Sequence, residues 1–525
     1  DIKNTLAVNS KDVMRVYNHY IKDKNYITTS FVPKNSPELA LKGSKLANVV
    51  EEKIVIGAES TFNPNVSSEY KKTSSSFDRS KEPDYGDIPS LNVPEVYQTD
   101  LDNGLKVYGI KNSEVPLVSF NLIIEGGQLL ESMDKLGLSY LTAQLLNKGT
   151  RDKTVKELEE AIQELGASIY VSSNSESINI SGTTLSKNYK ATLLLAQEML
   201  LQPRFDKQEF DLLKKATISN IRQQEANPNS VARNIFNKLI YGNDNIRSKN
   251  ILGTLNSLEL ITIEDVKLFY TKYISPSVSK MLVVGNIKKS EVLNSLSSLD
   301  LNWKPKTVTI PKYEIPEVPN KSSVYFYDIP DSKQSILQFG APALAATDKD
   351  YYPATVMNYI LGGGGFASRL TQELREGKGY TYGVSSRFSG SKDKGVFIIS
   401  SGVRSNVTLE SSLLVKKILT DYPNTFSEKD LQTSKSFLIK SNARAFETAN
   451  AKLRMLSTIS NFDWKADYIK EREQIVEDMT ISSIKELANK YVNPNKMIWL
   501  VVGDADTQLE RMKKLGFGDP ILLNK

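Results

Sequence analysis

Residues 262–285 read TIEDVKLFYTKYISPSVSKMLVVG, and residues 480–503 read TISSIKELANKYVNPNKMIWLVVG. The two segments align without a gap, bringing Tyr273 onto Tyr491, Pro276 onto Pro494 and Gly285 onto Gly503. Each opens on a threonine suited to cap a helix and continues with apolar residues at helical spacing. Each then turns at a proline into an apolar strand that ends on glycine. A missed repeat misassigns a whole fold, so this duplication sets the frame. A third, partial copy opens the chain. In residues 10–33, SKDVMRVYNHYIKDKNYITTSFVP, Val13 and Tyr20 keep the seven-residue spacing of Val266–Tyr273 and Ile484–Tyr491.

A second pair of segments supports the duplication. FDKQEFDLLK (205–214) and FSEKDLQTSK (426–435) share their phenylalanine and their terminal lysine, with a capping residue, Asp206 or Ser427, after the phenylalanine. Asp206 and Ser427, each with an acid three residues on, mark helix starts. The helices expected before them, 187–201 and 406–420, lead into turns at Pro203 and Pro423. Two units follow from this, residues 94–305 and 322–525, with the Pro-rich stretch 306–321 as the joint between them. Residues 1–56 read as the closing helix and strand of a preceding unit. Residues 57–93, rich in Ser, Pro, Asn and Asp without a period, read as a linker.

Within the units the apolar alternation predicts strands at 106–110, 117–125, 169–173 and 177–183. The second unit repeats them at 323–328, 335–341, 379–388 and 395–402. Hairpin-linked strands with helices grouped beside them point to the α+β class, each unit a mainly antiparallel sheet packed on helices.

Composition narrows the chemistry. The chain has 525 residues, 40% hydrophobic and 24% charged, with a net charge of +6. That charge is small for the length, and the lysines form no stripe with interleaved aromatics, so nucleic acid is not an expected partner. No apolar run approaches the ~20 residues of a membrane span, so no transmembrane segment is expected. Cysteine is absent, which removes disulfides, thiolate metal sites and Cys nucleophiles. The single histidine, His19, lies in a helical stretch and reads as a surface or packing residue. A histidine-based metal site is therefore beyond what this chain assembles alone. The start, DIKNTLAVNSKDVM, lacks the basic and apolar regions of a signal peptide.

Residues 361–384, LGGGGFASRLTQELREGKGYTYGV, contain four consecutive glycines ahead of a short helix. Glycines before a helix can bring N–H groups up to an anion. The spacing is neither that of a P-loop nor that of a dinucleotide fold. Inside the repeat the glycines read as a hinge that brings the helix carrying Arg375 close to the neighbouring sheet.

The order strand, Gly126-Gly127-x-x-x-Glu131, Gly137 to Lys148-Gly149-Thr150, capped helix pair and final helix-strand resembles the pitrilysin/insulinase zinc metallopeptidases, the inverzincins. The resemblance spans nearly the whole chain. It implies a metallopeptidase α/β roll in each unit, the two forming half of a clamshell around a chamber for unfolded peptides. In that family the first unit carries H-x-x-E-H on the helix before Lys-Gly-Thr; two histidines and a distant glutamate hold zinc, and the motif glutamate is the general base. Here the histidine positions hold Tyr140 and Gln144, the base position Ala143, and the distal position Asn220. Glu125 and Glu131 lie upstream and do not restore a tetrahedral site. No catalytic residue, metal ligand or cofactor is therefore expected in this chain.

In its second unit the resemblance implies an arginine and a tyrosine seven positions apart that contact bound peptide, and Arg375 and Tyr382 stand at that spacing. A guanidinium and a phenol suit a peptide carbonyl or a developing oxyanion. The packing alternatives are an Arg375 pair with Glu373 or Glu376, and a Tyr382 that shares a sheet face with Tyr380 and Val384. The leading expectation is the non-catalytic, substrate-binding half of a zinc metalloendopeptidase. Its zinc would be supplied by an upstream or separate H-x-x-E-H half. The alternative is an inactive scaffold or peptide-binding subunit of a larger envelope complex. The Lys/Asn/Ser-rich composition fits a periplasmic or cell-envelope member of such a family.

Overall fold

The apolar runs that end the repeated segments become the strands around which the rest is laid. Ser279–Gly285 and Ile498–Gly503 are buried along their whole length. A strand covered on both faces has no solvent side, so it reads as a continuous run rather than as an alternation. The computed structural model describes residues 1–33, 35–47, 76–78, 81 and 92–523. The chain divides into two compact units, residues 1–54 and 55–525.

The larger unit holds two six-stranded sheets. The first is built from β1 (Tyr97–Asp100), β2 (Lys106–Lys111), β3 (Leu117–Glu125), β4 (Ser168–Ser173), β5 (Ser177–Leu185) and β6 (Ser279–Gly285), in the order β1-β2-β6-β3-β5-β4. The second uses β7 (Ser323–Asp328), β8 (Gln334–Pro342), β9 (Thr381–Ser389), β10 (Val396–Arg404), β11 (Ile498–Gly503) and β12 (Ile521–Leu523), in the order β12-β7-β11-β8-β10-β9. In each, the repeated strand enters the middle. β6 runs parallel to β2 and antiparallel to β3; β11 runs parallel to β7 and antiparallel to β8. Apart from these and the β7–β12 pair, the ladders are antiparallel. The α+β class and the two homologous units stand as expected.

One face of each sheet packs on its own helices. Phe120, Leu122 and Ile180 meet Leu141 and Leu145 of the Leu138–Leu146 helix and Val266 and Phe269 of the Ile263–Tyr273 helix. The other face is covered by a helix from the opposite half. Met455, Leu456 and Ile459 of the Ala449–Phe462 helix pack on Tyr108, Ile110, Ile123, Leu282 and Val284 of the first sheet. Ala232, Phe236 and Ile240 of the Pro228–Tyr241 helix pack on Ile336, Ile398, Ile498, Leu500 and Val502 of the second. Burying three such side chains contributes on the order of 5 kcal/mol per helix as an upper estimate, so the halves stabilise one another.

Three sequence expectations need correction or limits. Pro423 does not make a turn; it lies in the last turn of the Thr408–Thr425 helix, close enough to the end that few ladder bonds depend on it. In the smaller unit the Ser10–Tyr20 helix forms, capped by Asn9, but no strand follows at residues 26–32. A strand persists only where a neighbour takes its N–H and C=O groups, and among the described residues of this unit there is no sheet. The linker expected at 57–93 lies almost wholly outside the described residues. The joint 306–321 contains neither helix nor strand.

Candidate functional site

The Leu138–Leu146 helix, which carries Tyr140, Ala143 and Gln144, is fixed at its start by one buried carboxylate. Glu131 accepts from the backbone N–H of Gly137 at 2.9 Å and of Ser139 at 2.6 Å. These are orphan donors of a helix N-terminus, where a negative charge is favoured. Burial nevertheless dominates and pushes the Glu131 carboxyl up to about 7. Gly137 has φ +96°, and a Cβ there would come within 2.6 Å of the Leu252 carbonyl oxygen, so only glycine lets the chain turn into the helix.

On that helix Ala143 is buried in the core, and Tyr140 and Gln144 are half-buried. Gln144 donates to the Tyr170 hydroxyl on edge strand β4 at 3.1 Å. Asn220, on the Lys207–Glu225 helix, is exposed and shares no hydrogen bond with Tyr140 or Gln144. A phenol, an amide, a methyl group and a second amide offer no imidazole or carboxylate to a zinc ion, and nothing to take a proton from water. Among the described residues there is no group of three or more His, Cys, Asp or Glu side chains able to hold a metal. Zinc does not fit this site.

Asn147 closes the edge of the first sheet. Its amide donates to the Val171 carbonyl and accepts from the Val171 N–H, each at 2.8 Å, so a main-chain pair on β4 is already taken. No sequence motif marked Asn147; its place one residue past the helix was the only signal.

The second half keeps Arg375 and Tyr382 together on one tight connection. The Tyr351–Asn358 helix runs into a π-helical turn, Tyr359–Gly363, and Arg375 sits in another, Thr371–Gly377. Such turns concentrate at functional sites. Between them Gly362 packs flat on β9: a Cβ there would lie 2.8 Å from the Ser386 nitrogen and 2.7 Å from Leu370 Cδ1. Asn358 donates to the Ser386 carbonyl at 2.8 Å, and Thr371 to that of Val384 at 3.3 Å. Gly362 therefore serves close contact with the edge strand rather than an anion.

Four residues after Arg375, Gly379 N–H donates to the Arg375 carbonyl at 2.9 Å, and β9 begins two residues later at Thr381. The Arg375 guanidinium lies over the Phe366 ring, 4.6 Å from its centroid, with Nε 3.4 Å from Glu376. The expected Glu376 neighbour is thus present, and the arginine remains partly open to solvent.

Tyr382 does not share a face with Val384. The β9–β10 register steps from Ser401 opposite Val384 to Val403 opposite Thr381, a bulge that sets Tyr382 and Gly383 against Gly402 alone. The extra residue reverses the alternation, so Thr381 and Val384 are buried while Tyr382 is 91% exposed. Thr381 and Ser401 hold the bulge. The Thr381 hydroxyl lies 2.8 Å from the carbonyls of Gly383 and Gly402 and accepts from Gly383 N–H at 3.0 Å; Ser401 donates to it at 3.0 Å. No hydrogen bond joins Arg375 to Tyr382. They present a cation and a phenol from one short helix-to-strand connection.

The comparisons agree with this architecture. The description "Insulinase (Peptidase family M16)" matches residues 106–252, and "Peptidase M16 inactive domain" matches residues 260–438. A Helicobacter pylori protein named a non-peptidase homolog is 24% identical over 80% of this chain and 93% of its own length. A Bacillus subtilis protein named an uncharacterized zinc protease is 24% identical over 67% of this chain and 84% of its own. The crystal structure of a peptidase M16 inactive domain from Pseudomonas fluorescens superposes with a TM-score of 0.72 at 25% identity, covering 78% of this chain and 98% of that one. Two six-stranded sheets packed on helices and these matches make the chain a member of the insulinase family of M16 peptidases.

Proposed function

We propose that this chain is the non-catalytic, peptide-binding half of an M16 zinc metalloendopeptidase, acting on unfolded peptides beside a half that carries the intact H-x-x-E-H site. The observation that supports it most is the bulge at Tyr382. A nearly fully exposed tyrosine on an edge strand costs the fold apolar burial, and buried hydroxyls hold it there. The main chain of β4 and β9 is partly capped by Asn147, Asn358 and Thr371, so the peptide is held by the Arg375 and Tyr382 side chains rather than by strand addition along these edges.

The test is fluorescence anisotropy of a labelled unfolded peptide with the chain alone, then cleavage after an H-x-x-E-H half is added. The chain alone binds and does not cut, with or without zinc; Arg375→Ala or Tyr382→Ala weakens binding about tenfold, ~1.4 kcal/mol. Unchanged affinity in both variants would falsify the role of the pair. The name of the Helicobacter pylori relative favours a second reading, a scaffold or peptide-binding subunit with no proteolysis anywhere. On that reading peptide binds as before, and no zinc half confers cleavage.

A further inference from the structure

The duplication makes the β4–β5 and β9–β10 hairpins equivalent, and the fold brings their tips to one arginine. Arg247 donates from Nη1 to Glu176 at 2.8 Å and from Nη2 to Asp393 at 2.5 Å, one carboxylate from each hairpin. Its side chain is only 11% exposed. A guanidinium is a rigid planar fork, so it fixes both carboxylates in direction as well as in place.

These groups line a cavity of about 350 Å³ formed by both halves and the joint, at the small end of the ~300–1,000 Å³ that ligand pockets span. Its apolar lining comes from Ile123 and Leu129 of the first half, Ile310 and Pro311 of the joint, and Phe462 of the second half. Three carboxylates line it as well, and three cations answer them: Arg247 for Glu176 and Asp393, and Lys280 and Lys392 for Glu125. Each carboxylate spends one oxygen in these contacts, so Glu125 Oε2, Glu176 Oε2 and Asp393 Oδ1 remain as acceptors. Lys392 gives one of its three N–H groups to Glu125, and exposed Lys312 adds a further cation from the joint.

Such a lining selects by exclusion. A simple anion meets three carboxylates, a simple cation meets the lysines, and a wholly apolar molecule strips water from both signs without replacing it. A molecule with one charge of each sign and an apolar body matches every part of the lining. Two linked residues span at most ~7 Å, which suits a cavity of this size. We propose that this cavity is a binding site for a free dipeptide with a large apolar side chain. Its ammonium goes to Glu176 and Asp393, its carboxylate to Lys392 and Lys312, and its side chain against Leu129 and Phe462. Such a ligand touches both halves and the joint at once, and so ties them together. The site is separate from Arg375 and Tyr382, neither of which lines it, and it stands whether or not that pair holds peptide.

The experiment titrates the full chain with leucyl-phenylalanine in a calorimeter, with glycyl-glycine and N-acetyl-leucyl-phenylalanine amide as controls. One leucyl-phenylalanine binds per chain and raises the Tm. The controls lack either the apolar side chains or both charges, and bind at least about tenfold more weakly. Ser391→Trp fills the cavity from the β9–β10 tip, and Lys392→Gln removes a partner of the carboxylate. Each weakens leucyl-phenylalanine binding by about tenfold or more, whereas Arg375→Ala leaves it unchanged. Lys312→Gln changes an exposed side chain and reports the same loss even where Ser391→Trp does not fold. Absence of binding overturns the proposal, and so does equal affinity for either control. Binding that is lost in Arg375→Ala and kept in Lys312→Gln and Lys392→Gln assigns the dipeptide to the Arg375–Tyr382 pair and overturns the separate site.

Discussion

Lys280, in the middle of the first sheet, donates to the carbonyl oxygen of Ser460, 2.6 Å away at the end of a helix from the other half. The same ammonium reaches Glu125 at 2.5 Å, and Glu125 also holds Lys392 at 3.1 Å. A cation at a helix C-terminus meets the negative end of its dipole, so this lysine joins the halves by charge where the exchanged helices join them by packing. Lys280→Met keeps the apolar stem and removes the charge. Glu125 retains Lys392, so the cost is less than for a fully orphaned buried carboxylate, about 2 kcal/mol at pH 7 by urea unfolding. Burial works to raise the Glu125 carboxyl, but Lys280 and Lys392 outweigh it and hold it below the usual range. A depressed carboxyl contributes stability above its unfolded value and loses it as pH falls. The cost of Lys280→Met therefore shrinks at pH 3.5. A cost equal at both pH values would show that the pair is electrostatically idle.

Glu131 carries the opposite sign. Burial places its carboxyl at about 7 in the fold against ~4.3 unfolded. The folded state holds that proton more tightly, so the stabilising effect is complete below pH 4 and drains away as pH rises through 7. Between pH 5 and pH 8 the wild type loses stability relative to Glu131→Gln, on the order of 3 kcal/mol. Thermal melts of the two proteins at both pH values measure the difference of differences. The lost N–H acceptance in the glutamine variant is a constant offset and cancels. Parallel pH profiles would place the ionisation elsewhere.

Much of this was legible in the sequence because it was written in local pattern. The 262–285 and 480–503 repeats announced two like units, and the apolar runs Met281–Val284 and Ile498–Val502 announced strands buried on both faces. That Tyr140 and Gln144 offer no zinc ligand and Ala143 no base needs only the residue types. What stayed hidden depends on distant partners. Nothing near Met455 says that its neighbours are Tyr108 and Ile110, and nothing near Lys280 names Ser460. The exposure of Tyr382 stayed hidden for a different reason. Period-two reading puts it with Val384, and the bulge that separates them is held by Ser401, on the neighbouring strand.

Gly362 is the point of closest approach between the π-helical turn and β9. Gly362→Ala drives a methyl group into the Ser386 backbone nitrogen and Leu370, overpacking worth about 2 kcal/mol. Gly365→Ala meets open space but carries a positive φ of +57°, so its cost is conformational and smaller, about 1 kcal/mol. Chemical denaturation ranks the two. An equal or reversed ranking would mean that the glycines are needed for backbone freedom and not for contact.

Thr381 decides where Tyr382 points. Thr381→Val preserves shape and removes the hydroxyl that the Gly383 N–H and the Gly402 carbonyl use as a partner, while Ser401 keeps the Gly383 carbonyl, at a cost of about 1–3 kcal/mol. With the bulge unpinned, the regular alternation turns Tyr382 toward the face that Val384 and Phe388 occupy. Nitration of Tyr382, read by peptide mapping, then slows severalfold, and peptide affinity falls with it. Thr381→Ser restores the hydroxyl and both readouts, which a purely steric role for the threonine methyl does not allow. If Tyr382 in Thr381→Val reacts as in the wild type, the hydroxyl network does not hold the bulge, and its exposure has another cause.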